Sequence, residues 1–175
     1  VMGLFDGLGG IWEEGSSYHL AKVTNTPIIL VVDAKGMGRS VVSLIAGFLA
    51  YDTEHLIKGV ILNRMSKAYY EMIGPLIEEE LHICVLGYFP NNLALHIESR
   101  HLGLMMPDEI TDVKKQLQEA TVVFEETVSV DEIMKIAETA ELFSYDGVKR
   151  QEKENTSERA DGIPIIAVAR DEAFC

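Results

Sequence analysis

Thr26-Pro27-Ile28-Ile29-Leu30-Val31-Val32-Asp33-Ala34-Lys35-Gly36-Met37-Gly38-Arg39-Ser40, read on to Gly59-Val60-Ile61-Leu62-Asn63-Arg64, decides the fold of this chain. Pro27 to Val32 is a short apolar run rich in β-branched residues and ended by Asp33. That is the pattern of a strand buried on both faces, as in parallel sheets covered by helices. Two glycines then mark a tight turn, and Val41, Leu44, Ile45 and Phe48 recur at helical spacing. A second apolar run closes on Asn63-Arg64. Strand, helix and strand in fewer than forty residues predict a right-handed βαβ crossover, the unit of a doubly wound, mostly parallel α/β sheet. Ligands of such sheets bind beyond the carboxyl ends of the strands, where Asp33 and Asn63 fall.

Working outward, a chain of 175 residues buries roughly 70% of its unfolded surface, enough for one real core. The net charge of −13 argues against nucleic acid or an anionic membrane as the main partner, because both select basic faces. Cys84 and Cys175 have neither disulfide nor zinc spacing, which fits a reducing compartment, and no signal or membrane-spanning stretch is visible. A cytoplasmic setting is expected. Val1-Met2-Gly3-Leu4 reads as the tail of a strand already under way. The polar run Lys149-Arg150-Gln151-Glu152-Lys153-Glu154-Asn155 reads as a linker, and Ile163 to Asp171 as a fresh strand. These features predict a middle piece of a longer protein, with a second domain starting near Ile163.

Other elements follow from local patterns. Gly15 to Lys22 predicts a short helix capped by serine. Ser66 to Leu81 predicts a helix with Tyr69, Met72, Ile73, Leu76 and Ile77 on one face, kinked or split at Gly74-Pro75. Ile83 to Tyr88 reads as a strand and Glu98 to Leu104 as irregular. Asp108 to Thr127 reads as an amphipathic helix, and Ser129 with Glu132 as a capping box for a last helix. Glu78-Glu79-Glu80 reads as a solvated helix face.

Several side chains are candidates for chemistry. Asp6, in the loop Phe5-Asp6-Gly7-Leu8-Gly9-Gly10, could hold Mg²⁺ or polarise a substrate, or could be an ordinary turn aspartate. The free amides of Gly36-Met37-Gly38-Arg39-Ser40 could cradle an anion, although the stretch is neither a dinucleotide fingerprint nor a P-loop; Lys35 and Arg39 could equally be solvated. Asn63, a carboxamide with donor and acceptor side by side, could read a purine edge, or it could close a strand-end turn. His82, Cys84, His96 and His101 do not have zinc-site spacing. Cys84 reads as a buried core thiol.

The chain also resembles a known family. Val1-Met2-Gly3-Leu4-Phe5-Asp6-Gly7, Gly15-Ser16-Ser17 with His19-Leu20-Ala21-Lys22, and Val31-Val32-Asp33-Ala34-Lys35-Gly36-Met37 with Arg39-Ser40 are similar to the cobyrinic acid a,c-diamide synthase family. Gly59-Val60-Ile61-Leu62-Asn63-Arg64, Arg100-His101-Leu102-Gly103-Leu104 and Ala167 to Phe174 continue the likeness in order. The resemblance implies a P-loop NTPase-like fold of the dethiobiotin synthetase kind, lacking its N-terminal P-loop segment. Residues 1–142 would be the later part of an ATP-binding synthetase domain, 143–162 a linker, and 163–175 the first strand of a glutamine amidotransferase domain. It implies an ATP- and glutamine-dependent ligase that phosphorylates the a and c carboxylates of cobyrinate, in cobalamin biosynthesis, for attack by glutamine-derived ammonia. ATP and Mg²⁺ are the implied cofactors, and a cobyrinate-type tetrapyrrole and ammonia the implied partners; a homodimer is a further expectation.

Carried over residue by residue, Asp6 would be catalytic and a Mg²⁺ ligand, and Asn63 with Arg64 would bind nucleotide. Ser16, Ser17, Gly36, Arg39, Arg100 and His101 would contact substrate or phosphate. Asp6 and Asn63 are expected to open onto one hollow. Hydrogenobyrinic acid and nickel-sirohydrochlorin a,c-diamide synthases and cobyric acid synthase share the chemistry, and a Min/Par-type ATPase switch shares the fold ancestry. The family's P-loop would lie upstream of Val1 and its glutaminase nucleophile beyond Cys175, so this chain alone is expected to lack both ATPase and glutaminase activity. An ATP-turnover assay on the purified chain measures this directly, and robust hydrolysis would contradict it.

Overall fold

The computed structural model describes residues 3–92, 99–100, 103–104 and 113–141. Its centre is a parallel sheet of three strands, β1 (Ile28–Asp33), β2 (Ile57–Asn63) and β3 (Cys84–Phe89), in that spatial order. Between them run α2 (Ser40–Tyr51) and α3 (Lys67–Leu81); α1 (Ser17–Thr24) precedes β1, and α4 (Val113–Thr127) and α5 (Val130–Glu138) follow β3. One sheet face carries Leu30, Val32, Val60, Leu62 and Val85, packed on Val41, Val42 and Ile45 of α2 and Ile73 and Ile77 of α3. The alternate residues Ile61 and Leu86 face the other way, onto Val128 and, at its margin, Phe124, Ile133 and Ile136. Period-2 alternation on the strands and helical spacing on both covers give the three-layer α/β architecture that the sequence predicts.

The register fixes the functional geometry. Asp33 pairs opposite Asn63, and Asn63 opposite Phe89, so all three strands end on one rim. In β3 the register shifts at Leu86, which the pairing passes over. This bulge lets the Leu86 carbonyl accept from Ser129 N at 2.8 Å, and Gly87 bridges to Val128. Gly87 has φ +143, and a Cβ there would lie 2.2 Å from the Thr127 carbonyl oxygen. Only glycine allows the chain between α4 and α5 to approach this closely.

Several expectations need correction. β1 is not buried on both faces: Val31 is 59% exposed, because among the described residues α4 and α5 cover β2 and β3 and reach β1 only at Ile29. Gly74-Pro75 does not split α3, which is continuous across them; Tyr69 and Met72 point outward while Ile73 and Ile77 are buried. The region around Arg100 is not irregular, since Ser99–Arg100 (β4) pairs antiparallel with Gly103–Leu104 (β5). The capping box is half formed. Ser129 accepts from Glu132 N at 3.4 Å, but the Glu132 carboxylate turns to Lys135 rather than back to the cap. The acidic run is exposed yet engaged: Glu78 accepts from Val85 N at 3.0 Å, and Glu80 pairs with Arg39 at 2.6 Å. The expected linker and terminal strand, residues 143–175, lie outside the described residues. Among the described residues, no helix is long and apolar enough to cross a membrane.

The end of the sheet where the strands begin is tied by a residue with no motif around it. Asp52 is 2% exposed and accepts three hydrogen bonds, from Tyr18 Oη at 2.9 Å, Leu56 N at 2.9 Å and Ile57 N at 2.7 Å. It joins α1, the C-terminus of α2 and the start of β2. A buried carboxylate is tolerated only when satisfied in this way, and removing it orphans three donors at once. Asp52→Ala should therefore lower the unfolding free energy by about 3 kcal/mol, with Tyr18→Phe costing about 1 kcal/mol. Urea unfolding of each variant measures this, and an unchanged midpoint for Asp52→Ala would contradict it.

Candidate functional site at the carboxyl rim

The rim is built from the turns that leave β1 and β2. After β1 the Asp33 carboxylate accepts from Lys35 N at 3.2 Å, and Ala34 N donates to the Asn63 carbonyl at 2.8 Å. Gly36, at φ +68, completes the reversal, a conformation that glycine adopts without cost. After β2, Arg64 is a non-glycine residue at φ +58, a left-handed position that side chains other than Asn and Asp rarely take. It is held there locally by its own amide, which donates to Asn63 Oδ1 at 3.0 Å. Met65 N donates to the Phe89 carbonyl at 3.1 Å, tying this turn to the end of β3.

The two turns meet in a forked ion pair. Arg64 Nε donates to Asp33 Oδ1 at 2.7 Å, and Arg64 Nη2 donates to Asp33 Oδ2. This planar two-point geometry is available to arginine and not to lysine. The guanidinium is the main reason the Asp33 carboxyl sits below its ordinary value of 3.8, with the Lys35 amide adding to the effect. The native carboxylate is thus favoured, so the pair is complete at neutral pH and is lost only as pH falls below that ordinary value. Both partners are well exposed, so the pair contributes little to stability; its consequence is to fix the orientation of Arg64.

Beside this clamp lies a hollow of about 250 Å³ lined by Ala34, Gly36, Met37, Arg64, Met65, Ser66 and Tyr69. It has apolar, flat or polarisable walls from Met37, Met65 and Tyr69, and one cationic group. A larger hollow of about 570 Å³, lined in part by His55, Lys58, His82 and Cys84, sits at the opposite edge. There α2 and α3 end, and the negative ends of their dipoles disfavour an anionic ligand. Burial, with Glu78 nearby, pushes the Cys84 thiol up, so it stays protonated at neutral pH and is no nucleophile. It is half-buried rather than fully in the core. Among the described residues no group of three His, Cys, Asp or Glu side chains could hold a metal ion.

The other candidates divide clearly. Arg64 and Gly36 line the rim hollow; Asn63 stands beside it, with Oδ1 committed to the Arg64 amide. Arg39 is drawn away to Glu80. Ser16 is buried, and its Oγ caps α1 by accepting from His19 N at 3.0 Å; Ser17 is exposed at the first turn of that helix. Asp6 is not among the residues that line the rim hollow. Its carboxylate accepts from Gly3 N at 2.7 Å. The adjoining Phe5 ring packs on Tyr18, Phe48 and Tyr51, with centroids 4.8, 6.0 and 5.8 Å away. Those rings sit where α2 ends and the strands begin. The Arg100 side chain and His101 lie outside the described residues.

The residues that reading the sequence missed are Asp33 as a partner of Arg64, and Tyr69 and Ser66 as walls. Pairing β1 against β2 in register would have found the first, because it sets Asp33 beside Asn63-Arg64.

An α/β domain with a hollow where its parallel strands end is the general layout of proteins that bind small ligands at that edge. Comparison with known proteins makes this specific. The chain is 36% identical to cobyrinate a,c-diamide synthase of Caldanaerobacter subterraneus subsp. tengcongensis over 99% of its length and 37% of the relative's. It is 38% identical to the synthase of the same name from Clostridium acetobutylicum, over 99% of this chain and 38% of that one. For the Priestia megaterium synthase the identity is 33%, again over 99% of this chain and 36% of the relative. The chain belongs to the cobyrinate a,c-diamide synthase family, and it spans a little over a third of the length of these curated relatives. No family model matches it, and no solved structure does so significantly.

Proposed function

We propose that the polypeptide to which this chain belongs is an ATP- and glutamine-dependent amide ligase that converts the a and c carboxylates of cobyrinate to amides. The observation that carries the reading is the likeness to enzymes named for that product, sustained over 99% of the chain. The strand-end crevice supports it, since it offers what a nucleotide needs: an apolar slot beside Tyr69, a fixed arginine and the open turn at Gly36.

In this reading the substrate carboxylate attacks the γ-phosphorus of ATP and ADP leaves. Ammonia released from glutamine then adds to the acyl carbon, and phosphate departs as the amide forms. Such chemistry depends on positioning and charge neutralisation more than on covalent help from the protein. Within this chain, Arg64 and Asn63 orient the nucleotide, and the backbone around Gly36 lies along its path. Mg²⁺ belongs to the reading as the companion of the triphosphate. Among the described residues Asp33 is engaged by Arg64 and Asp6 by the Gly3 amide, and no step is assigned to a metal bound by this chain.

Incubating the complete polypeptide with cobyrinate, ATP and glutamine tests the reading by mass spectrometry. Mono- and then diamide should accumulate together with ADP and glutamate. Amidation without nucleotide consumption, or an unaltered tetrapyrrole, would contradict it.

A further inference from the structure

We propose that Asp33 is a positioning residue of the nucleotide site, clamping the Arg64 guanidinium and cancelling its charge so that this end of the crevice takes the neutral heteroaromatic base rather than a phosphate. The inference rests on the nucleotide-binding reading above and adds a residue and a specificity rule to it.

The geometry separates two uses of an arginine at a strand end. A free guanidinium beside a glycine turn attracts phosphate oxygens, to which it can donate two parallel bonds. Here that forked edge is already occupied: Nε and Nη2 donate to the two oxygens of Asp33. Of the five N–H donors of an arginine, the remaining three have no partner among the described residues. They include the Nη1–Nη2 edge, and with the Asp33 anion already against the guanidinium that edge has less pull on a second anion and suits uncharged acceptors, such as the ring nitrogens of a base. The walls agree with this. Tyr69 is 50% exposed and supplies a ring face, and Met37 and Met65 supply polarisable thioethers, which make favourable contacts with aromatic systems. At about 250 Å³ the hollow lies just below the roughly 300–1,000 Å³ of pockets that enclose whole ligands; it is sized for part of a nucleotide. Arg64 also has little freedom to find this orientation unaided, because its backbone is fixed in a left-handed turn by Asn63. The carboxylate across the β1–β2 register selects the side-chain direction.

The test uses the complete polypeptide and two probes, adenosine and inorganic tripolyphosphate. Asp33→Asn keeps an acceptor for Lys35 N but breaks the ionic clamp. It should weaken adenosine binding about tenfold and strengthen tripolyphosphate binding, with little change in melting temperature because the pair is exposed. Arg64→Lys should weaken adenosine to a similar degree, and the double variant should bind adenosine no worse than either single one. If wild type binds ATP and Asp33→Asn leaves both probes unchanged, or weakens both in parallel, this inference is overturned while the nucleotide reading stands. If wild type binds no adenine nucleotide at all, the nucleotide reading fails and this inference fails with it.

Discussion

The structure depends on one constraint, the in-register parallel pairing of β1 on β2 and of β2 on β3. It aligns Asp33, Asn63 and Phe89 along a single rim. Once the strands are fixed in that register, the two turns that leave them face each other, and Asp33 lies within reach of Arg64. The alternation of Leu30, Val32, Val60 and Leu62 against α2 and α3 holds the register. A slip of one residue would turn those side chains to the other face and carry Asp33 away from Asn63. Core packing and site geometry therefore have the same cause.

The two ends of the sheet are used differently. At the beginning of the strands, Asp52 and the rings of Phe5, Tyr18, Phe48 and Tyr51 make a stabilising knot. At the far rim the polar groups are exposed and add little to folding, and there Arg64 is held at a positive φ, a conformation that Asn25, His55 and His82 share elsewhere.

Much of this was legible in the residues. Pro27 to Asp33 and Gly59 to Leu62 announced strands through their apolar runs, and Ser16 announced its helix through cap chemistry, because both signals are local. What escaped were contacts between distant segments. Asp52 carries no motif; its role appears only when α1 is folded beneath the sheet. Phe5, beside Asp6 in a loop that looks functional, packs among three rings of α1 and α2. Val31 looked like core, but covering it needs a helix over β1, and α4 and α5 lie over β2 and β3 instead. Tyr69 shares a helical stripe with Ile73, although the stripe is wider than the face that α3 buries.

The most direct test is a structure of the complete polypeptide with a non-hydrolysable ATP analogue bound. The account predicts the base against Tyr69, Arg64 still gripped by Asp33, and the triphosphate running past Gly36. A nucleotide seated instead at the opposite edge among His55, Lys58 and His82, or an Arg64 swung off Asp33 onto a phosphate, would contradict it.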